Sequence, residues 1–226
     1  MNGSGTENSD MQLIKTAAEK SDAGKMSFSA IAEFAHTSLI KHWLGGVLAC
    51  LIPAVLGFFV NLIPLIGWLS GILLFPFTVG VMLFFLRMVR QESPRVEDIF
   101  EPFRQYGRML WGYFRVLIFV FLHFLLLIIP GYVAVLRYSM TYYVMLDDPT
   151  CSVKDAMIMS REIMYGYKWR FFCYMLLLFL IGIPVGILTL GLGFLWYGPF
   201  VQAFCARFYD LVHRAYELKQ AEIPAE

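Results

Sequence analysis

Charge is what this sequence has least of. Only 15% of its 226 residues are Asp, Glu, Lys or Arg, against about 25% in soluble domains. None of the four occurs from Trp43 to Leu86, from Val116 to Leu136 or from Phe171 to Ala206. A spanning helix needs about 20 residues; the shortest run meets that length, and the others are about twice it. A buried aqueous core does not need uninterrupted runs of that kind, so the chain reads as an integral membrane protein. Net charge is +1, which leaves no basic field for nucleic acid. The first 26 residues lack the apolar stretch of a cleaved signal peptide and read as a polar, disordered tail.

Reactive chemistry is equally sparse. Cys50, Cys151, Cys173 and Cys205 form no CxxC pair, so structural thiols are expected rather than a disulfide or metal framework. There is no Gly-rich phosphate loop, no HExxH and no GxSxG. The expectation is a protein without enzymatic activity, cofactor or metal. An intramembrane enzyme would lack a nucleophile, base or metal set, and ion-coupled transport would lack an intramembrane acid.

What is present is a topology. The first long run breaks at NLIPLIGW, where Pro64 and Gly67 offer a turn, and the last breaks at Gly191-Leu192-Gly193. The middle run poses a choice at Pro130-Gly131: one crossing over 109–129, or a second over 131–146. Lys and Arg arbitrate, because they favour the cytoplasmic side. With two crossings, every Lys and Arg except Arg115 falls in segments that share one side. With one, Lys154, Arg161, Lys168 and Arg170 would be translocated. Trp43, Trp68, Trp111, Trp169 and Trp196 fall at the starts of five of the six resulting helices, as interfacial indoles do. The expected fold is an all-α membrane protein of six short transmembrane helices in three hairpins. It occupies 27–216 as one domain, with a polar tail at 217–226 and both termini cytoplasmic.

The charged segments carry amphipathic patterns. Ser152 and Asp155 read as a capping box, followed by a face of Val153, Ala156, Met157, Ser160, Ile163 and Met164 and a stop at Gly166. Phe28, Ile31, Ala35 and Leu39 form a similar face, as do Val96, Ile99, Phe100 and Phe103, with Pro102 bending that helix. These helices either lie among headgroups or cap the bundle.

Ionisable residues within lipid need a partner. Arg115 lies near the inner surface, where its stem can snorkel. Arg137 falls well within the bilayer on the hairpin reading, with no carboxylate in any proposed helix. Its candidate partners are carbonyls freed at Pro-interrupted turns, Asn61, Gln202, tyrosine hydroxyls, a water-filled cavity or a lipid phosphate; a structural role and an anionic ligand are both open. His123 reads as a neutral bundle histidine rather than a proton relay. The speculative binding set is thus Arg137, Asn61, Gln202 and His123. Two GxxxG pairs, Gly67–Gly71 and Gly182–Gly186, allow close helix contact.

Several stretches, in order, carry a resemblance: FFLRMVRQE (84–92), DIFEPF (98–103), LLIIPG (126–131), RYSMTYYVMLDDP (137–149), Ser160 to GYKW (ending at 169), TLGLGFLW (189–196) and ARFYDL (206–211). Over about residues 30–212 the chain resembles a bacterial membrane family known as domain of unknown function 975. The IIPG and GYKW elements are also similar to the membrane domain of some glycerophosphodiester phosphodiesterases. Pro199-Phe200 and the Asp-Asp-Pro at 147–149 depart from the family pattern. The resemblance implies a multi-pass bacterial inner-membrane protein and no particular activity. Two functions follow as expectations. One is a scaffold, accessory or membrane-state role through contacts with lipids, other membrane proteins or a second copy. The alternative is a small lipid or amphiphile transporter with an anionic-headgroup site near Arg137.

Overall fold

The computed structural model describes residues 26–62, 70–126 and 128–221, and all their regular structure is helical. The elements are α1 (Phe28–Lys41), α2 (Trp43–Asn61), the single turn α3 (Ser70–Leu73), α4 (Phe75–Val89), a 3-10 helix η1 (Val96–Gln105), α5 (Tyr106–Leu126), α6 (Ile128–Tyr138), α7 (Thr141–Asp147), α8 (Val153–Ile163), α9 (Lys168–Leu188) and α10 (Phe194–Ala221). Among these residues, three stretches are long and apolar enough to cross a membrane: Trp43–Asn61, Val96–Leu125 and Lys168–Leu188. This is a membrane protein. Of the other expected crossings, two are short and the third belongs to α10, which has 28 residues but is not apolar enough. The α4 helix has 15 residues and α6 has 11, about 22 and 16 Å against a hydrocarbon core of about 30 Å.

The helices pair by running back along one another. A Cβ on Gly45 would lie 3.1 Å from Phe84, and one on Gly57 would lie 3.4 Å from Leu74, so α2 and α4 are antiparallel. Gly131 packs on the Phe124 ring and Tyr138 meets Phe119 edge-on at 6.4 Å, which sets α6 against α5. The helix before it ends at Leu126 and α6 begins at Ile128, so the expected Pro130-Gly131 corner lies inside α6. Gly182 and Gly186 admit Tyr197 and Phe194 of α10, so this GxxxG pair does bring two helices together. Of the other pair, Gly67 lies outside the described residues and Gly71 has nothing within 4 Å of a built Cβ.

The core is at the polar end. The Trp43–Asn61 and Lys168–Leu188 spans are only 11% and 17% buried within the protein; their flanks face outward. The largest enclosed side chains instead gather from the charged segments and the helix ends beside them: Phe84, Phe85, Ile99, Met145, Phe204 and Tyr209. The physical reason is solvent. Apolar flanks gain little by leaving lipid for protein, whereas the collar meets water and must bury its apolar faces.

The amphipathic segments behave accordingly. Ile31, Ala35 and Leu39 are fully buried, with Ser27 capping α1 through its hydroxyl. All six expected residues of the α8 face are buried, Ser152 accepts the Asp155 amide, and Gly166 turns the chain at φ 86°. The segment at 96 differs: it is a 3-10 helix. Three residues per turn align Ile99 with Pro102, both buried, and rotate Phe100 outward.

Candidate functional site: a cationic cavity in the collar

The site is assembled by short polar devices. Asp148 accepts the Thr150 hydroxyl at 2.6 Å and the Thr150 amide at 2.8 Å, and these bonds hold its carboxyl below the usual range. Arg108 of α5 donates to the carbonyls of Asp148 (2.9 Å) and Cys151 (2.6 Å). The tight turn then delivers Ser152 as the cap of α8. Farther along, the Ser160 hydroxyl donates to the Arg137 carbonyl at 2.8 Å, tying the end of α6 to α8. Gly166 lets the chain reverse into α9, which starts at Lys168.

These constraints bring Arg137, Arg161, Lys168 and Lys219 to one cavity of about 590 Å³, between the ends of α6 and α8, the start of α9 and the last turns of α10. One carboxylate, Glu162, lines it with them. Glu162 is already engaged, since it accepts the Tyr216 hydroxyl at 2.7 Å, and that bond raises the Tyr216 pKa above its ordinary value. Arg137 Nε is buried without a hydrogen-bond partner among the described residues. Four cations face one preoccupied carboxylate, so the lining is short of negative charge. Arginine presents a planar fork that matches phosphate or carboxylate oxygens in pairs, and the volume suits a small ligand or headgroup.

Arg137 thus shares its cavity with Arg161, Lys168 and Lys219. The other proposed partners do not join it. Asn61 ends α2, exposed, donating to the Gly57 carbonyl at 2.8 Å. His123 holds Nδ1 2.7 Å from the Phe119 carbonyl on its own helix. Gln202 lies part-buried on α10 and does not line the cavity.

A second polar assembly escaped the sequence reading. Arg90, just past α4, donates two bonds to Asp147, at 2.7 and 2.8 Å. Its Nε reaches Asp210 at 3.3 Å, and the Tyr209 hydroxyl donates to Asp147 at 2.7 Å. Asp210 is 2% exposed and also meets Arg207 and Arg214. Its members come from FFLRMVRQE, the Asp-Asp-Pro stretch and ARFYDL, so the segments behind the family resemblance converge in space. Arg87 of the first stretch pairs likewise with Asp98 and Glu101 of DIFEPF.

Residues 113–215 match the family model described as "Protein of unknown function (DUF975)". The matched stretch supports the DUF975 resemblance and runs from α5 into α10, taking in Arg137, Arg161, Lys168, Asp147 and Asp210. No curated protein and no solved structure matches the chain. Among the described residues, no group of three or more His, Cys, Asp or Glu side chains is placed to hold a metal ion.

Proposed function

We propose that this is a non-catalytic protein of the bacterial inner membrane whose cytoplasmic collar binds an anionic headgroup in the Arg137 cavity. It would serve as a lipid-linked accessory or scaffold. The observation that carries this reading is the unpartnered, buried Nε of Arg137 in a cavity with Arg161, Lys168 and Lys219. A buried N–H without an acceptor is costly, and a bound phosphate would supply the missing acceptor. Six crossings in three hairpins, with both termini cytoplasmic, fit the antiparallel pairing of α2 with α4, α5 with α6, and α9 with α10. The short members would be met by local bilayer thinning. The likeness of IIPG and GYKW to the membrane domain of glycerophosphodiester phosphodiesterases points toward the same lipid setting.

The test is co-purified lipid. Wild type and Arg137→Gln would be extracted in parallel and their bound phospholipid identified and counted by mass spectrometry. An anionic phospholipid held stoichiometrically by wild type and lost from a folded Arg137→Gln protein supports the reading. Equal lipid complements in the two proteins refute it.

A further inference from the structure

Across α8 from the Arg137 cavity is a second, smaller one. Arg115 of α5 and Lys154 and Arg161 of α8 line it together with Phe119, Tyr138 and Ile158, enclosing about 200 Å³. None of the three cations makes a side-chain hydrogen bond or ion pair among the described residues, whereas Arg87, Arg90 and Arg207 in the same collar each meet a carboxylate. No carboxylate lines this niche.

Geometry sets the character of its occupant. On α5, Arg115, Phe119 and Leu122 succeed one another at spacings of four and three, so they share a face. Phe119 is 40% exposed and Leu122 52% exposed. The face is cationic at Arg115, midway along α5, and apolar from there toward the end of that helix. Ile158, 39% exposed on α8, borders the same opening. Phosphate-binding groups thus stand at one end of an apolar track that runs along a membrane-spanning helix. A free anion would use only the first; a phospholipid would use both.

We infer that the Arg115–Lys154–Arg161 niche is a separate binding site for an anionic phospholipid of the collar-side leaflet. Its phosphate is held by the three cations and an acyl chain lies over Phe119 and Leu122. The niche shares Arg161 with the Arg137 cavity but uses none of its other cations. Arg115, read from sequence as a snorkelling residue, gains a ligand for its head.

The full-length protein would be delipidated in detergent and titrated with phosphatidylglycerol, phosphatidylcholine and inorganic phosphate, with bound lipid followed by native mass spectrometry. At about 1 kcal/mol for each cation near an anionic surface, Arg115→Gln/Lys154→Gln should weaken binding of one phosphatidylglycerol by about thirtyfold. The charge-preserving Arg115→Lys/Lys154→Arg should keep it, and Arg137→Gln/Lys219→Gln should leave that lipid in place. Loss in the Arg137 variant alone would overturn the niche while leaving the proposed function standing. The reverse pattern would sustain the niche and count against the Arg137 cavity. If inorganic phosphate competes as strongly as the lipid does, the site takes a free anion and the lipid assignment fails. Should the glutamine variant not fold, photo-activatable phosphatidylglycerol on the unaltered protein decides. Adducts at Phe119–Leu122 or Met157–Ile158 support the niche, and adducts confined elsewhere refute it.

Discussion

Arg90 and Asp147, 57 positions apart in sequence, form a two-pronged ion pair at 2.7 and 2.8 Å, and that contact joins the end of α4 to the end of α7. Asp210 of α10 adds a third strand to the joint through Arg90 Nε. Both partners of the main pair are largely covered, at 27% and 17% side-chain exposure. Removing one partner therefore strips the other of both prongs: Arg90 keeps only Asp210, and Asp147 keeps only the Tyr209 hydroxyl. Asp147→Ala or Arg90→Ala should cost about 3 kcal/mol, seen as a lower unfolding temperature in detergent. The double variant should lose less than the sum of the two, since no orphan charge remains. Strict additivity would show that the two side chains do not interact.

Tyr209 gives the same joint a pH signature. Burial, then its bond to Asp147, pushes its phenol well above the ordinary value near 10. The folded state therefore keeps the proton longer than the unfolded chain does. This contribution is complete below about pH 10 and falls as pH rises toward the folded value, by about 1.4 kcal/mol per pH unit. Tyr209→Phe should lower stability at neutral pH by about 1.5–3 kcal/mol. Above pH 10 it should decline less steeply than wild type, a difference read from unfolding temperatures between about pH 8 and 11. Parallel curves across that window would refute the assignment.

Glycine tolerance should separate two close approaches. A Cβ on Gly80 would lie 2.0 Å from the Ile99 carbonyl oxygen, so α4 and η1 touch backbone to backbone. On Gly112 it would meet the Met145 sulfur at 3.1 Å, the far end of a flexible chain. Gly80→Ala should cost about 3 kcal/mol or more, and Gly112→Ala under about 1.5 kcal/mol. Unfolding midpoints of the two purified variants would check this; equal stabilities would mean that η1 does not seat against Gly80.

Local patterns were legible because local physics decides them. The Ser152 cap, the α8 face and the Gly166 stop follow from neighbouring residues, and α1 packs through Ile31, Ala35 and Leu39 as its spacing predicts. The corner expected at Pro130-Gly131 lies inside α6 because Pro130 fits within the first turn of a helix as well as in a corner. Phe100 was assigned to a buried face because a 3.6-residue period was applied to a 3-10 segment. Arg137 was marked as lacking a carboxylate on the proposed membrane helices. Its true neighbours, Arg161, Lys168 and Lys219, come from three different helices. No spacing rule joins residues 137 and 219, and the partnership of Arg90 with Asp147 and Asp210 was hidden for the same reason.

The direction of the chain across the bilayer offers the last test, and the fold supplies a reporter for each side. Cys151 lies in the collar turn, half-buried, with its thiol pKa raised first by burial and then by Asp148 and Asp155. Leu190, 93% exposed, stands in the turn joining α9 to α10, at the far end of the Lys168–Leu188 span. With Cys50, Cys173 and Cys205 replaced, a membrane-impermeant maleimide should label Cys151 only after cells are permeabilised. Because maleimide reacts with the thiolate, that labelling should be slow near pH 7 and accelerate as pH rises. Leu190→Cys, introduced with Cys151 also replaced, should label in intact cells. The opposite pair of results would place the collar outside. Labelling of both positions from one side would mean that α9 does not cross, and the six-crossing arrangement would be lost with it.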